Sequence, residues 1–166
     1  MTTVHYIGDS TVARNNIHSY PQTGMSQGLQ LYLKEAVRLV SYAKNGRSTK
    51  SFLDEGRFGP VEAAMAPGDF LLIQFGHNDE KDDPARHTDP EGSFQDNLRL
   101  FIQAAREKGA HPVLLTPIAR RLFDENGNPI IESIQKRDGT IITIDGVPAT
   151  ELPDGVTYEF SGENEM

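Results

Sequence analysis

At 166 residues the chain is the size of one domain and long enough to bury a core of its own. Its 24 acidic against 16 basic residues and pI near 5.0 leave no basic footprint for nucleic acid or an anionic membrane, and the lack of cysteine excludes disulfides and thiolate-bound zinc. No stretch approaches the roughly 18 apolar residues of a membrane span, and the N-terminus shows neither a basic nor an apolar leader region, so the sequence predicts a cytoplasmic location.

The first predicted strand is Val4–Ile7, ending at Gly8-Asp9-Ser10-Thr11. A polar loop through Asn15, Asn16 and Pro21 follows, and then Met25, Leu29, Tyr32, Leu33 and Ala36 at the spacing of one helix face. Strand two is read as Val37–Ala43, leading to Asn45-Gly46-Arg47-Ser48. Short helical stretches around Ser51–Asp54 and Val61–Met65 stop at Pro67-Gly68. Strand three, Phe70–Phe75, is apolar except for Gln74, the continuity expected of a central parallel strand covered on both faces, and it ends at Gly76-His77-Asn78-Asp79. A helix is predicted from Ser93 to Lys108, with Phe94, Leu98, Phe101, Ile102 and Ala105 as its apolar stripe, Ser93 as N-cap and Gly109 as its C′ residue. Strand four is Pro112–Thr116.

Alternating strands and helices predict an α/β fold, a doubly wound three-layer sandwich with a mainly parallel sheet over residues 1–125. From residue 126 to 166 the pattern changes. Asn126-Gly127, Asp138-Gly139, Asp145-Gly146 and Asp154-Gly155 punctuate the β-rich pieces Ile130–Ile134, Thr140–Ile144 and Val156–Phe160, which predicts a hairpin-rich extension with an acidic tail packed on the same domain.

In a doubly wound sheet ligands bind outside the carboxyl ends of the strands, where Ser10, Gly46 and Asn78 all fall. A hydroxyl, a backbone N–H on a flexible residue and an amide side chain are a nucleophile and two kinds of oxyanion donor, the groups acyl transfer requires. Each also has an ordinary reading: Ser10 as a helix N-cap, Gly46 as the left-handed residue of a turn, Asn78 as a turn former.

In the order Gly-Asp-Ser-Thr, lone Gly, Gly-His-Asn-Asp, the chain resembles the GDSL or SGNH hydrolases. Pro21–Gly24, Asn45–Phe52, Gln74–Asp79 and Leu115–Arg121 are similar to the rhamnogalacturonan acetylesterase branch, over roughly the first 125 residues. The resemblance implies an SGNH, flavodoxin-like fold and no cofactor. It implies a Ser-His-Asp triad with Ser10 as nucleophile, and the Ser10 N–H, the Gly46 N–H and the Asn78 amide as the oxyanion hole. It also implies an Asp-x-x-His block near the C-terminus, yet no His follows His111. That half of the triad would come from a longer natural chain, a partner protomer or a local histidine.

His5 and His111 sit at the wrong ends of their strands, His5 about 15 Å from Ser10 at strand rise. His18, His77 and His87 lie in loops on the catalytic edge and are the substitute-base candidates. Asp9, Arg120 and Arg121 are candidate substrate contacts, since a guanidinium matches a sugar carboxylate such as galacturonate, with a solvated loop as the alternative for the arginines. Asp79, Asp82 and Asp83, with Glu80 and Lys81, read as a solvated loop before a calcium site, so no metal is predicted.

The expected function is removal of acetyl groups from a pectin-type carbohydrate. The expected partner is a small-molecule or oligosaccharide acetyl ester, with a homodimer compatible but marked by no motif. The alternatives are a catalytically degenerate binding protein of the same fold and a truncated, vestigial product.

Overall fold

The computed structural model describes residues 1–16, 18, 23–118, 143–144 and 147–148. The chain divides into two units, Met1–Ile118 and Ala119–Met166.

In the first unit, β1 (Thr2–Gly8), β2 (Val37–Ser41), β3 (Phe70–Gln74) and β4 (His111–Leu114) form one parallel sheet in the order β2-β1-β3-β4. The helices are α1 (Met25–Leu29), α2 (Thr49–Asp54), α3 (Phe58–Ala64) and α4 (Ser93–Glu107). The sheet order makes the first crossover run to one side of β1 and the later ones to the other. Right-handed crossovers then put α1 on one face and α2–α4 on the opposite face, the doubly wound α/β sandwich, with its switch point at β1.

The core lies on the α2–α4 face. Ile7, Leu71, Ile73 and Phe75 from the sheet meet Phe52, Phe58, Val61, Met65, Phe101, Ala104 and Ala105 from the helices. Phe101 is fully buried, with ring centroids 4.7 Å from Phe58, 5.9 Å from Phe75 and 6.3 Å from Phe52. The opposite face is less covered: Phe70 is 38% exposed and Leu72 half-buried, so the apolar continuity of β3 overstates its burial.

Three further expectations need correcting. The helix expected to bury Met25, Leu29, Tyr32, Leu33 and Ala36 ends as α1 at Leu29, tightens to a 3₁₀ turn at Gln30–Tyr32 and becomes extended at Leu33. Gly28 weakens it, and Leu31 and Tyr32 end up 82% and 86% exposed. Ser93 is the first residue of α4 rather than its N-cap, which is Gly92; the Ser93 hydroxyl accepts from the Asp89 N–H. β2 and β4 are shorter than predicted, stopping at Ser41 and Leu114. Gly109, at φ +71°, takes the left-handed conformation expected at the end of α4.

In the second unit, β5 (Thr143–Ile144) and β6 (Val147–Pro148) pair antiparallel on either side of Asp145-Gly146, where the sequence predicts a hairpin. Ile130–Ile134, Val156–Phe160, Arg120, Arg121 and Pro21 lie outside the described residues.

Candidate active site

Gly8 ends β1 in close packing: a Cβ there would sit 2.6 Å from the Gln74 carbonyl and 2.7 Å from a Val12 methyl. Only glycine lets the strand pass and turn at once. The Asp9 carbonyl accepts from the N–H groups of Val12 (3.2 Å) and Ala13 (2.9 Å). Its carboxylate accepts from the Thr11 N–H (2.9 Å) and hydroxyl (2.8 Å). Asp9 is 1% exposed, so it corrects the expectation of a substrate contact: it forms the turn that carries Ser10.

The turn is braced from β3. The Gln74 amide donates to the Thr11 hydroxyl (3.3 Å), and its oxygen accepts from the buried Tyr6 phenol (2.6 Å). Burial, helped by the Asp9 charge, pushes Tyr6 up to about 12, so it remains a neutral donor. Ser10 itself is partly exposed, and among the described residues its hydroxyl has no hydrogen-bond partner.

The neighbouring loop is laced to β1 through the Lys44 N–H, which donates to the Gly8 carbonyl (3.1 Å). Lys44–Arg47 forms a turn closed by the Arg47 N–H on the Lys44 carbonyl (3.3 Å), with Gly46 at φ +76°, a conformation that L side chains avoid. Ser48 then caps α2, its hydroxyl accepting from the Ser51 N–H.

From the end of β3, Asn78 reaches across β1. It is 4% exposed, and its amide nitrogen donates to the Arg47 carbonyl (3.1 Å). Since β1 lies between β2 and β3, this bond joins the two flanking loops over the edge from which Ser10 emerges. The amide nitrogen carries two N–H donors, of which the Arg47 carbonyl takes one.

Asp79 corrects the reading of a solvated loop. It is 4% exposed, and one carboxylate oxygen accepts from the Thr49 N–H (2.9 Å), the Thr49 hydroxyl and the Thr88 hydroxyl (3.0 Å). Thr49 also accepts from the Asn97 amide (3.0 Å). The other Asp79 oxygen is buried without a partner. Burial raises the Asp79 pKa, against the opposing bonds from Thr49 and Thr88. This residue fixes Asn78 to the first turn of α2. Single-sequence reading missed it, as it missed Tyr6; the clue to the latter was Gln74, one polar residue in an apolar strand.

None of the predicted substitute bases is placed on Ser10. The His77 ring contacts the Ile118 carbonyl (2.6 Å), on the β4 side of β3 and away from β1. The His87 ring contacts the Lys81 carbonyl (2.9 Å), and His18 is exposed. His5 and His111 lie at the amino edge: the His5 ring pairs with Asp69 (3.2 Å), and His111 packs on Phe70. Asp83 spends its carboxylate on the Ala85 N–H and on Arg86. Among the described residues no three His, Cys, Asp or Glu gather as a metal site, and no helix is long and apolar enough to cross a membrane.

The chain is 48% identical over 124 residues to rhamnogalacturonan acetylesterase RhgT of Bacillus subtilis, covering 75% of this chain and 52% of the relative. It is 42% identical over 125 residues to the probable rhamnogalacturonan acetylesterase YesY of the same organism, covering 75% and 57%. The crystal structure of Bacillus subtilis YxiM superposes with a TM-score of 0.65 at 29% identity, over 75% of this chain and 35% of that one. The chain thus spans about half the length of the curated relatives it matches. The model of the GDSL-like lipase/acylhydrolase family matches residues 6–156, and with the Ser10 turn, the Gly46 loop and the Asn78 amide on three adjacent strands, the chain belongs to that family.

Proposed function

We propose that this chain is an acetylesterase acting on a carbohydrate of the rhamnogalacturonan type. Ser10 is the nucleophile, and the Ser10 N–H, the Gly46 N–H and the Asn78 amide are the oxyanion donors. The observation that carries this reading is the Asn78–Arg47 bond, which spans the β1 edge and leaves one amide proton available beside the Gly46 turn. The substrate class comes from the relatives, two of which are named as rhamnogalacturonan acetylesterases at 42% and 48% identity.

In the reaction the Ser10 hydroxyl oxygen adds to the acetyl carbonyl carbon, and the negative charge that moves to the carbonyl oxygen is met by the three donors. Collapse expels the sugar alcohol, which takes up a proton; water then releases acetate from acetyl-Ser10. Among the described residues His18, His77 and His87 make no bond to Ser10, and the hydroxyl proton passes to a general base or to hydroxide as the C–O bond forms.

The test is hydrolysis of p-nitrophenyl acetate and of an acetylated rhamnogalacturonan fragment by the chain and by Ser10→Ala, each with and without added imidazole. Ser10-dependent release of acetate, enhanced by imidazole, is expected. No Ser10-dependent turnover in any arm would favour the second reading, a protein that binds an acylated sugar without cleaving it. The specific observation behind that second reading is that, among the described residues, the Ser10 hydroxyl bonds no histidine.

A further inference from the structure

Ser10 is placed by its neighbours. Among the described residues neither its hydroxyl nor its N–H makes a hydrogen bond, so no bond of its own fixes where its oxygen points. Asp9 on one side is buried, and Thr11 on the other is bonded to it twice, through its N–H (2.9 Å) and its hydroxyl (2.8 Å), both on one carboxylate oxygen. The backbone beyond is held by α1, with the Met25 N–H on the Thr11 carbonyl (2.8 Å).

The bonds behind Thr11 allow one assignment. A carboxylate accepts and cannot donate, so the single proton of the Thr11 hydroxyl lies toward Asp9. The Thr11 oxygen then accepts, and the Gln74 side chain faces it (3.3 Å) with its amide nitrogen rather than its oxygen. That turns the Gln74 oxygen to Tyr6, 2.6 Å away, where the phenol must donate. Burial, which pushes Tyr6 up to about 12, keeps that proton on the phenol. The result is a one-way chain from Tyr6 through Gln74 and Thr11 to Asp9, which crosses from β1 to β3 and back and closes on the two residues that flank Ser10. Tyr6 and Gln74 are each 1% exposed, so water does not replace either partner, and buried bonds in series strengthen one another. Two apolar residues of the same shape would hold β1 on β3 about as well. They would not orient Thr11.

We propose that Tyr6 and Gln74 are positioning residues for Ser10, which set the direction of its hydroxyl and N–H by fixing Thr11 against Asp9. The role of Ser10 as nucleophile rests on the esterase reading above, but the positioning of its turn is testable without turnover.

The experiment compares the wild-type chain with Gln74→Met and with the double variant Gln74→Met/Tyr6→Phe in three measurements: melting temperature, hydrogen exchange of the Thr11 amide by two-dimensional NMR, and Ser10-dependent hydrolysis of p-nitrophenyl acetate. Exchange at Thr11 is read as a ratio to exchange at the Phe101 amide in the core, so that general loosening of the fold cancels. Gln74→Met alone strands the buried Tyr6 phenol and should melt below wild type; adding Tyr6→Phe removes the stranded donor and should recover most of that loss. Thr11 is expected not to recover. In the double variant its amide should exchange about fivefold faster, and kcat should fall about fivefold with KM unchanged, the order of effect of one lost hydrogen bond. Recovery of Thr11 exchange or of kcat along with the melting temperature would mean that the pair fills space and nothing more, and overturns the proposal, as does a Thr11 ratio unchanged in both variants. Faster Thr11 exchange in the variants of a chain with no Ser10-dependent turnover sinks the esterase reading and leaves the positioning of the turn standing.

Discussion

Replacing Asp79 by alanine removes the acceptor for three donors at once: the Thr49 N–H, the Thr49 hydroxyl and the Thr88 hydroxyl. Thr49 is 0% and Thr88 2% exposed, so water cannot take over. A buried unpaired N–H costs about 1–3 kcal/mol and each lost hydroxyl bond about 0.5–1.5 kcal/mol, roughly 2–6 kcal/mol together. Removing a carboxylate that burial penalises offsets part of this, so Asp79→Ala should cost about 3 kcal/mol, a large share of the roughly 5–15 kcal/mol that stabilises a domain. Asp79→Asn keeps the accepting oxygen and places its amide nitrogen where the carboxylate oxygen has no partner; it should lie within about 1 kcal/mol of wild type. Urea unfolding followed by circular dichroism measures both as shifts in midpoint at constant slope. The pH dependence has a definite sign. A carboxyl whose folded pKa is raised binds its proton more tightly in the native state. Its contribution is therefore most favourable below the ordinary value of 3.8 and is lost as pH rises through the folded value. Asn lacks that drift, so the difference between the two proteins should move in favour of Asp79→Asn between about pH 4 and neutrality. An alanine variant within about 1 kcal/mol of wild type, an Asn variant as costly as alanine, or a pH trend of the opposite sign would refute this account of the site.

Asn78→Ala should lower Ser10-dependent kcat by about 10²–10³ with little change in KM, measured on p-nitrophenyl acetate, because the donor acts on charge that develops in the transition state. Gly8→Ala should destabilise by about 2 kcal/mol or more in urea and abolish Ser10-dependent turnover, since its methyl lands 2.6 Å from a backbone oxygen of β3. Asp69→Asn should flatten the acid limb of stability: although burial pushes Asp69 up, the bonds from the Thr3 N–H, His5 and the Ala66 N–H hold it below 3.8. Its contribution is therefore present above that pH and lost on acidification through the folded value, as thermal melts across the acid range will show.

The strand positions and the three loop motifs were legible because each apolar run stops at a glycine, and a parallel sheet puts all such stops on one edge. What the sequence hid was set by register. Tyr6 and Gln74 meet only because Gly8 pairs with Gln74 in the β1–β3 ladder, which puts two polar groups side by side on one face. Asp79 sat in a run of acidic residues that reads as solvated, and its burial depends on Thr49 and Thr88, 30 and 9 residues away. The segment after Met25 misled for another reason: correct apolar spacing is not enough when Gly28 breaks the helix before its stripe can face the sheet. Asp9 was read as a substrate contact because a carboxylate beside Ser10 resembles one until its short bonds to Thr11 are seen.

Among the described residues, the proposed oxyanion donors are held by contacts inside residues 1–118: Thr11 and Gln74 on the Ser10 turn, Arg47 on Asn78, Thr49 and Thr88 on Asp79. Their geometry therefore does not depend on where the proton acceptor comes from. In serine proteases stripped of their triads, an oxyanion hole with substrate binding still gives about 10³–10⁴ over water, so slow turnover by itself does not report a base. The pH profile does. If a histidine accepts the Ser10 proton, Ser10-dependent kcat/KM on p-nitrophenyl acetate should rise and level off around the ordinary imidazole value of about 6.5. If hydroxide does so, the rate should climb tenfold per pH unit through that range without a plateau, and imidazole should add to it in proportion to its free-base concentration. A plateau near 6.5 that survives His18→Ala, His77→Ala and His87→Ala in combination would place the accepting imidazole on a second molecule, because His5 is buried against Asp69 and His111 packs at the far edge of the sheet.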